Sequence, residues 1–166
     1  EIGVLISRIR AGEPIDFNIV RNGSEGAGEV FLFLASALRD GESQNGLIFY
    51  TRLASYLAPE NMHATLLSAK LLEELGSYDL AVAAYDLVPR NHPSFVKAEL
   101  GRANALSYIG KTETAIEVLT QLSESFPSVR GVYDALGNLL RRDGQYEKAT
   151  KVYDIAIDMI RDPQPK

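Results

Sequence analysis

Histidines and paired acids are the side chains of this 166-residue sequence whose types could support catalysis or metal binding. An imidazole can bind zinc or move a proton near neutral pH, and two carboxylates can hold a metal or share a proton. His63 and His92 lie far apart, however, with no cysteine in the chain and no carboxylate at metal-ligand spacing beside them. Glu73 and Glu74 are adjacent on an expected helix, so their side chains diverge. We therefore expect no catalytic residue, no metal site and no cofactor.

The glycine-rich stretch GSEGAGE, at residues 23–29, could in principle cradle a phosphate. It lacks the Lys-Ser/Thr pair of a phosphate-binding loop and does not follow an apolar strand, which favours a flexible start to a helix. The net charge of −5 argues against a nucleic-acid partner, because such proteins gather lysine and arginine on one face. No apolar run approaches the roughly 20 residues that span a bilayer, so we expect no direct membrane insertion.

The strongest pattern in the chain is a repeat of 34 residues. A weaker copy, FLASALRDGESQNG at residues 33–46, precedes three clear copies and slips by one position. A fixed period of this size is typical of stacked supersecondary units. Five columns recur over the three clear copies: Gly76, Gly110 and Gly144; Ala81, Ala115 and Ala149; Ala69, Ala103 and Gly137; Leu72, Leu106 and Leu140; Pro59, Pro93 and Pro127.

Each unit is predicted to be two helices joined at a glycine. Apolar residues between 62 and 72 have helical spacing, and Gly76 can adopt the left-handed conformation that ends a helix. The second helix is expected to begin at Asp79 and to run to about Val88, and Pro93 marks the exit because proline cannot continue a helix.

The last unit indicates how the two helices meet. Gly137 and Ala149 are small, which predicts that the helices approach closely at these positions. Tyr146 and Tyr153 are predicted to fill the space beside this crossing.

The two ends of the chain depart from the repeat. Residues 1–23 are expected to form a leading helix and an extended linker, the remnant of a preceding unit, with Ile2, Leu5, Ile6 and Ile9 on one helical face. The helix of the first repeat is expected to start near Ser24. Repeat arrays need polar caps for solubility, and no polar helix follows the last apolar stretch. We therefore expect a longer array, or a partner or second copy that covers the apolar helix end: Val152, Ile155, Ala156, Met159 and Ile160.

These columns resemble the tetratricopeptide repeat family, whose 34-residue helix–turn–helix units carry the pattern W-x2-L-G-x2-Y…A-x3-F…P. The leading tryptophan is missing from every repeat. The resemblance implies an all-α, right-handed α-α superhelix of about four helix–turn–helix units with one leading helix. The array would span 24–166, with approximate repeats at 27–60, 62–95, 96–129 and 130–163. The best match, within residues 133–153, consists of Tyr133, Leu136, Gly137, Leu140, Ala149 and Tyr153.

The resemblance implies a non-catalytic scaffold for protein–protein interaction, which binds a peptide segment or a partner protein in its concave groove. A second possibility is a structural segment that self-associates or stacks with further repeats of its own chain. A third is an enzyme or a regulatory domain of one. The chain also looks like part of the long multi-repeat proteins common in alphaproteobacteria, many of them exported, so a soluble protein of the bacterial cytoplasm or periplasm is expected.

The groove would be lined by the first-helix positions that the buried columns leave over. Asn104 and Asn138 could hydrogen-bond the backbone of an extended peptide, although asparagine is also tolerated on any wet helix face. The family's clamp of Lys, Asn and Arg for the carboxylate tails of chaperones is not implied, because the lysine column holds Leu100 and Asp134. The expected groove residues are Lys70, Glu73, Glu74, Lys97, Leu100, Asn104, Tyr108, Asp134, Asn138, Arg141 and Arg142.

Charge along this groove changes sign. Glu73 and Glu74 make one edge acidic, and Arg141 and Arg142 make the matched edge basic, although the two arginines also suit the negative end of their own helix. The order predicts a partner segment with opposite charges toward its two ends and its acidic end near the arginines.

Overall fold

A computed structural model describes residues 2–13, 20–38 and 44–161 of the chain. Over these ranges every regular element is a helix and no strand occurs. The predicted all-α class is therefore confirmed. The helices are α1 (Ile2–Arg10), α2 (Gly23–Ala37), α3 (Gln44–Leu57), α4 (Met62–Glu74), α5 (Tyr78–Tyr85), α6 (Phe95–Tyr108), α7 (Thr112–Ser125), α8 (Arg130–Arg142) and α9 (Tyr146–Arg161).

From α2 onward, each helix packs against the helix that follows it in the chain. Helices α2 and α3, α4 and α5, α6 and α7, and α8 and α9 thereby form four helical hairpins. Helix α4 also contacts α6, and α6 contacts α8. The first helices of three successive hairpins therefore lie side by side, and together they line one face of the stack.

The α4–α5, α6–α7 and α8–α9 hairpins turn through the same backbone geometry. Gly76, Gly110 and Gly144 have φ angles of 72°, 78° and 80°, which a residue with a β-carbon rarely adopts. The amide after each glycine donates to a leucine carbonyl five residues earlier, as Ser77 does to Leu72 at 2.8 Å. These are Schellman ends, which satisfy carbonyls that the helix itself leaves unpaired. The predicted glycine stops are confirmed.

The matched small and large columns form the core between the hairpin helices. Ala69, Ala81 and Ala115 have no exposed surface, and Ala103 and Ala149 are almost fully buried. The leucine column is buried beside them, at Leu72, Leu106 and Leu140. The prediction that small residues mark the helix crossings is thus confirmed.

The tyrosines and the end of α5 differ from the sequence prediction. Tyr153 does pack at the crossing, since a β-carbon on Gly137 would lie 2.6 Å from its Cε1. Tyr146 is 68% exposed, so its predicted role as filler is wrong. Helix α5 begins at Tyr78 rather than at the predicted Asp79, and it ends at Tyr85, before Val88.

The glycine-rich stretch at residues 23–29 forms the start of α2, which begins one residue before the predicted Ser24. Helix α2 begins at Gly23, and the Asn22 side chain caps it by accepting from the Glu25 amide at 2.9 Å. Gly28 is buried, and a β-carbon there would lie 2.8 Å from that of Ala58. Glycine therefore serves close packing between α2 and the end of α3.

The apolar faces at the two ends of the chain are partly open. On α1, Ile6 and Ile9 are exposed, while the side chains of Ile2 and Leu5 and the predicted linker at 14–19 lie outside the described residues. On α9, Ala156 is buried, whereas Val152 and Met159 are only partly covered. Three isoleucines of the same helix are exposed: Ile155, Ile157 and Ile160. No helix within the described ranges is long and apolar enough to cross a bilayer.

Candidate functional site

The face lined by α4, α6 and α8, here called the groove face, contains two neighbouring clefts. The α4–α6 cleft has a volume of about 790 Å³, and the α6–α8 cleft has a volume of about 360 Å³. Eight of the eleven sequence-predicted groove residues line one cleft or the other. The α4–α6 cleft holds Lys70, Glu73 and Lys97, and the α6–α8 cleft holds Leu100, Asn104, Asn138, Arg141 and Arg142.

A hydrogen-bond network occupies one wall of the α4–α6 cleft. The Tyr85 hydroxyl donates to Glu73 Oε2 at 3.0 Å, and Asn104 Nδ2 donates to Glu73 Oε1. Burial first, and the Glu73 carboxylate second, raise the pKa of Tyr85 above its ordinary value, so the phenol stays neutral and remains a donor. The network also explains Glu73, whose charge is unfavourable in the last turn of α4. The two hydrogen bonds donated from α5 and α6 compensate for the unfavourable interaction of this charge with the helix end.

The remaining polar groups of the α4–α6 cleft are more open. Lys70 and Lys97 are exposed, and His92 Nδ1 accepts from the Ser94 amide at 3.1 Å. His63 on α4 lines the same cleft as His92, which lies in the loop between α5 and α6. The spacing between them gave no signal of this proximity. Within the described ranges, no group of three or more histidines, cysteines and acids could hold a metal ion.

The α6–α8 cleft combines an aliphatic floor with a polar rim. Leu119 on α7 and Leu139 on α8 are buried beneath it, and Ala103 and Ala135 form its sides. Arg141 and Arg142 are exposed at the rim, in the last turn of α8. The described residues that line this cleft include no carboxylate. Its electrostatic character is therefore positive.

The two asparagines predicted to hold a peptide backbone both have partners within the chain. Asn104 donates to Glu73, and the Asn138 Oδ1 accepts from the Tyr153 hydroxyl at 2.9 Å. Each amide thus uses one of its four hydrogen-bonding positions within the chain, and both residues line the α6–α8 cleft. Part of the capacity of each side chain for a peptide backbone therefore remains.

Three predicted groove residues line neither cleft. Glu74 is exposed at the end of α4. Asp134 forms an ion pair with Arg130 at 3.6 Å, within α8. Tyr108 stacks on Tyr78 with ring centroids 4.6 Å apart and planes 7° from parallel. One face of the Tyr108 ring is therefore covered by Tyr78 and cannot contact a partner.

Sequence reasoning missed the residues that give the two clefts different shapes. Tyr85 and Leu119 occupy the same column 34 positions apart, as do Gly101 and Ala135. Tyr85 packs its ring on Gly101, whereas Leu119 and Ala135 border the α6–α8 cleft. In a column that is otherwise aromatic, the change from tyrosine to leucine was a feature of the sequence that could have indicated this difference between the clefts.

Comparison with protein families accounts for most of the chain. Three models described as tetratricopeptide repeat match residues 35–94, 97–128 and 132–166. Repeats of this kind generally bind proteins and are generally non-catalytic. No protein of curated function matches the sequence.

Solved structures of MamA are similar in fold. The chain aligns with "MamA 41-end from Desulfovibrio magneticus RS-1" at a TM-score of 0.71 and 15% identity, covering 99% of this chain and 95% of that one. It aligns with the structure described as "MamA MSR-1 C2" at a TM-score of 0.66 and 19% identity, covering 96% and 94%. At such low identity the likeness extends to the helical solenoid fold alone.

Proposed function

Because the chain belongs to the tetratricopeptide repeat family, a family of protein-interaction modules, we propose that it is a non-catalytic scaffold that holds a segment of a partner protein on its groove face. The observation that carries this proposal is the side-by-side packing of α4, α6 and α8, which creates two clefts along one face. An extended or helical segment could lie across both clefts and contact three hairpins at once.

The chemistry of the two clefts supports a peptide rather than a small molecule. Each cleft is open to solvent and combines aliphatic side chains with amides and single charges, which suits alternating side chains and backbone groups. The wall of the α4–α6 cleft is acidic at Glu73 but carries Lys70 and Lys97 as well, while the α6–α8 rim is basic. A segment with its acidic part over Arg141 and Arg142 fits this order.

Site-specific photo-crosslinking tests the proposal in the cells that make the protein. A benzophenone amino acid replaces Lys97 or Arg142 on the groove face, or Leu87, which is 66% exposed beside the α3–α5 side of the stack. We expect the two groove positions to crosslink the same partner protein and position 87 to crosslink none. Crosslinks confined to position 87, or none from the groove positions, would exclude the groove face as the binding site.

Self-association is a second candidate function, which the open apolar face of α9 favours. Ile155 and Ile160 of the predicted apolar helix end are 47% and 60% exposed, and Met159 between them is only partly covered. Such a face can pair with a second copy or stack on further repeats of the same chain. Sedimentation velocity over a wide concentration range should show dimers that Ile155→Glu abolishes and Thr150→Glu, an exposed polar control, leaves intact. A monomer at all concentrations would exclude this candidate.

A further inference from the structure

The contact between α5 and α6 and the contact between α7 and α8 use equivalent positions of the repeat, but a tyrosine ring lies against the following helix only in the first of them. Between α4 and α6, the Tyr85 ring lies against Gly101, where a β-carbon would meet Cε1 at 2.7 Å. Between α6 and α8, the equivalent residues are Leu119 and Ala135, and both border open space. Replacing a tyrosine by a leucine removes a ring, and the added methyl of Ala135 does not restore that volume. The α6–α8 cleft is therefore an aliphatic recess into which no ring equivalent to that of Tyr85 extends from the described part of α7.

The polar network of the first cleft is also missing from the second. Ser107 stands 34 residues after Glu73, and its hydroxyl donates to the Asn104 carbonyl at 2.8 Å instead of bridging helices. The α6–α8 cleft thus has no internal acid to balance its cations. Within the described ranges, Arg141 and Arg142 form no ion pair, and the nearby Asp143 accepts from Gln145 Nε2 at 2.6 Å. The recess therefore combines an apolar floor with two available guanidinium groups.

The helix dipole alone does not account for this combination. Arginines in the last turn of α8 are favourable next to the negative helix end. That effect requires no aliphatic recess beside the arginines, and it does not require leucine in place of tyrosine at position 119. A guanidinium can hold a carboxylate through two parallel hydrogen bonds, and an aliphatic recess excludes water from the pair. A ligand that supplies both an aliphatic side chain and a carboxylate uses both features.

We propose that the α6–α8 cleft is the anchor site for an internal partner segment in which a leucine, isoleucine, valine or methionine lies within one helical turn of an aspartate or glutamate. The aliphatic side chain rests on Leu119 and Ala135, and the acidic side chain pairs with Arg141 or Arg142. The volume of about 360 Å³ lies at the small end of the range of about 300–1,000 Å³ typical of ligand pockets, which suits one anchoring side chain and its neighbour. The inference rests on the proposed function, because it names the chemistry that the groove face selects.

An array of random twelve-residue peptides, acetylated and amidated at their ends, tests the selection. The purified 166-residue chain is applied to the array, and the tightest peptides are then measured in solution by fluorescence anisotropy. We expect the bound peptides to be enriched in an aliphatic residue close to an acid. Changing that acid to its amide should weaken binding up to about fivefold, the loss expected for one ion pair at an exposed rim.

Two variants separate the recess from the charges. Leu119→Tyr with Ala135→Gly rebuilds the Tyr85 and Gly101 arrangement, so it fills the recess with a pairing that the fold already accepts. We expect it to weaken the selected peptides at least about tenfold. Arg141→Gln with Arg142→Gln should weaken them to a similar extent at low salt and less at high salt, because screening reduces the charge term. Arg52→Gln, an exposed arginine on α3, is the matched control and should change nothing.

Each outcome distinguishes this inference from the proposed function. Circular dichroism must first show that every variant melts as the parent does. If Leu119→Tyr with Ala135→Gly does not fold, Arg141→Gln with Arg142→Gln still tests the inference. Peptides that lack an acid, or that bind the filled and charge-neutral variants as well as the parent, overturn the inference while peptide binding itself stands. A requirement for a free terminal carboxylate in place of the internal acid overturns it too. No peptide binding at all would count against both.

Discussion

The aromatic ring of Tyr85 lies directly across Gly101, with its hydroxyl bonded to Glu73 at 3.0 Å. Tyr85 belongs to α5, Gly101 to α6 and Glu73 to α4. One side chain therefore ties a hairpin together and joins it to the first helix of the next. This contact helps to determine how α4, α5 and α6 pack together, and it forms one wall of the α4–α6 cleft.

Gly101→Ala should destabilise the protein, because the new β-carbon would meet the Tyr85 ring 2.7 Å from Cε1. Overpacking typically costs about 1–3 kcal/mol, and the better helix propensity of alanine offsets up to about 1 kcal/mol of that. Urea unfolding measures the change in the free energy of unfolding. Gly131→Ala is the matched control, since nothing lies within 4 Å of its β-carbon position and it is exposed on α8. Equal stabilities for the two variants would contradict the proposed clash.

Tyr85→Phe should lower stability by about 1–2 kcal/mol at neutral pH, because Glu73 loses a donor in a partly buried place. The loss should shrink at alkaline pH. Burial and the Glu73 carboxylate raise the pKa of Tyr85 in the folded chain, so the folded phenol keeps its proton after the unfolded one has lost its own. The unfolded state then binds fewer protons, and the free energy of unfolding falls as pH rises above about 10.

Urea unfolding at about pH 8 and about pH 11 checks this linkage. The parent should lose more stability between the two than Tyr85→Phe does. Tyr146→Phe, which removes a hydroxyl from a 68% exposed ring, should follow the parent at both values. If all three proteins decline in parallel, Tyr85 does not carry the pH dependence.

Ala115→Leu should cost about 1–3 kcal/mol by overpacking, since Ala115 has no exposed surface and lies in the core with Ala103 and Leu119. The same substitution at Ala83, which is exposed within α5, should change the melting temperature little. A melt of Ala115→Leu that coincides with the parent's would show that the crossing between α6 and α7 has room that the structure does not contain.

The Tyr78–Tyr108 stack should contribute about 0.5–1.5 kcal/mol beyond the area that each ring buries. A double-mutant cycle with Tyr78→Ala, Tyr108→Ala and the pair measures this coupling directly. The stack joins the start of α5 to the end of α6. If the effects of the two single substitutions on the free energy of unfolding add up to that of the pair, the rings do not stabilise each other.

The features that the sequence predicts well are those that recur at a fixed spacing. The glycine stops at Gly76, Gly110 and Gly144 follow from a local backbone requirement, and the buried alanine columns follow from the period of the repeat. Each needs only a few neighbouring residues to be recognised. The repeat period also predicted the order of the hairpins and the face that their first helices line.

The candidate site was only partly predictable, because its shape depends on pairs of residues from different helices. Nothing in the spacing of Glu73 and Asn104 shows that they bond to each other, or that Tyr108 is taken up by Tyr78. The shape of the α6–α8 cleft depends on Leu119 and Ala135 together, and neither residue is unusual alone. The packing role of Gly28 was also missed, since its close approach to Ala58 involves a residue more than 20 positions away in the sequence.

The packing of each helix from α3 to α9 on its immediate predecessor has a consequence for how the chain acquires its shape. Contacts between segments adjacent in sequence close short loops, so the entropy lost on forming them is small and folding is fast. The fold can start at any hairpin and propagate outward in either direction. A partner that binds both α6 and α8 would therefore stabilise these two helices against local unfolding. Amide hydrogen exchange should slow in α6 and α8 more than in α2 or α3.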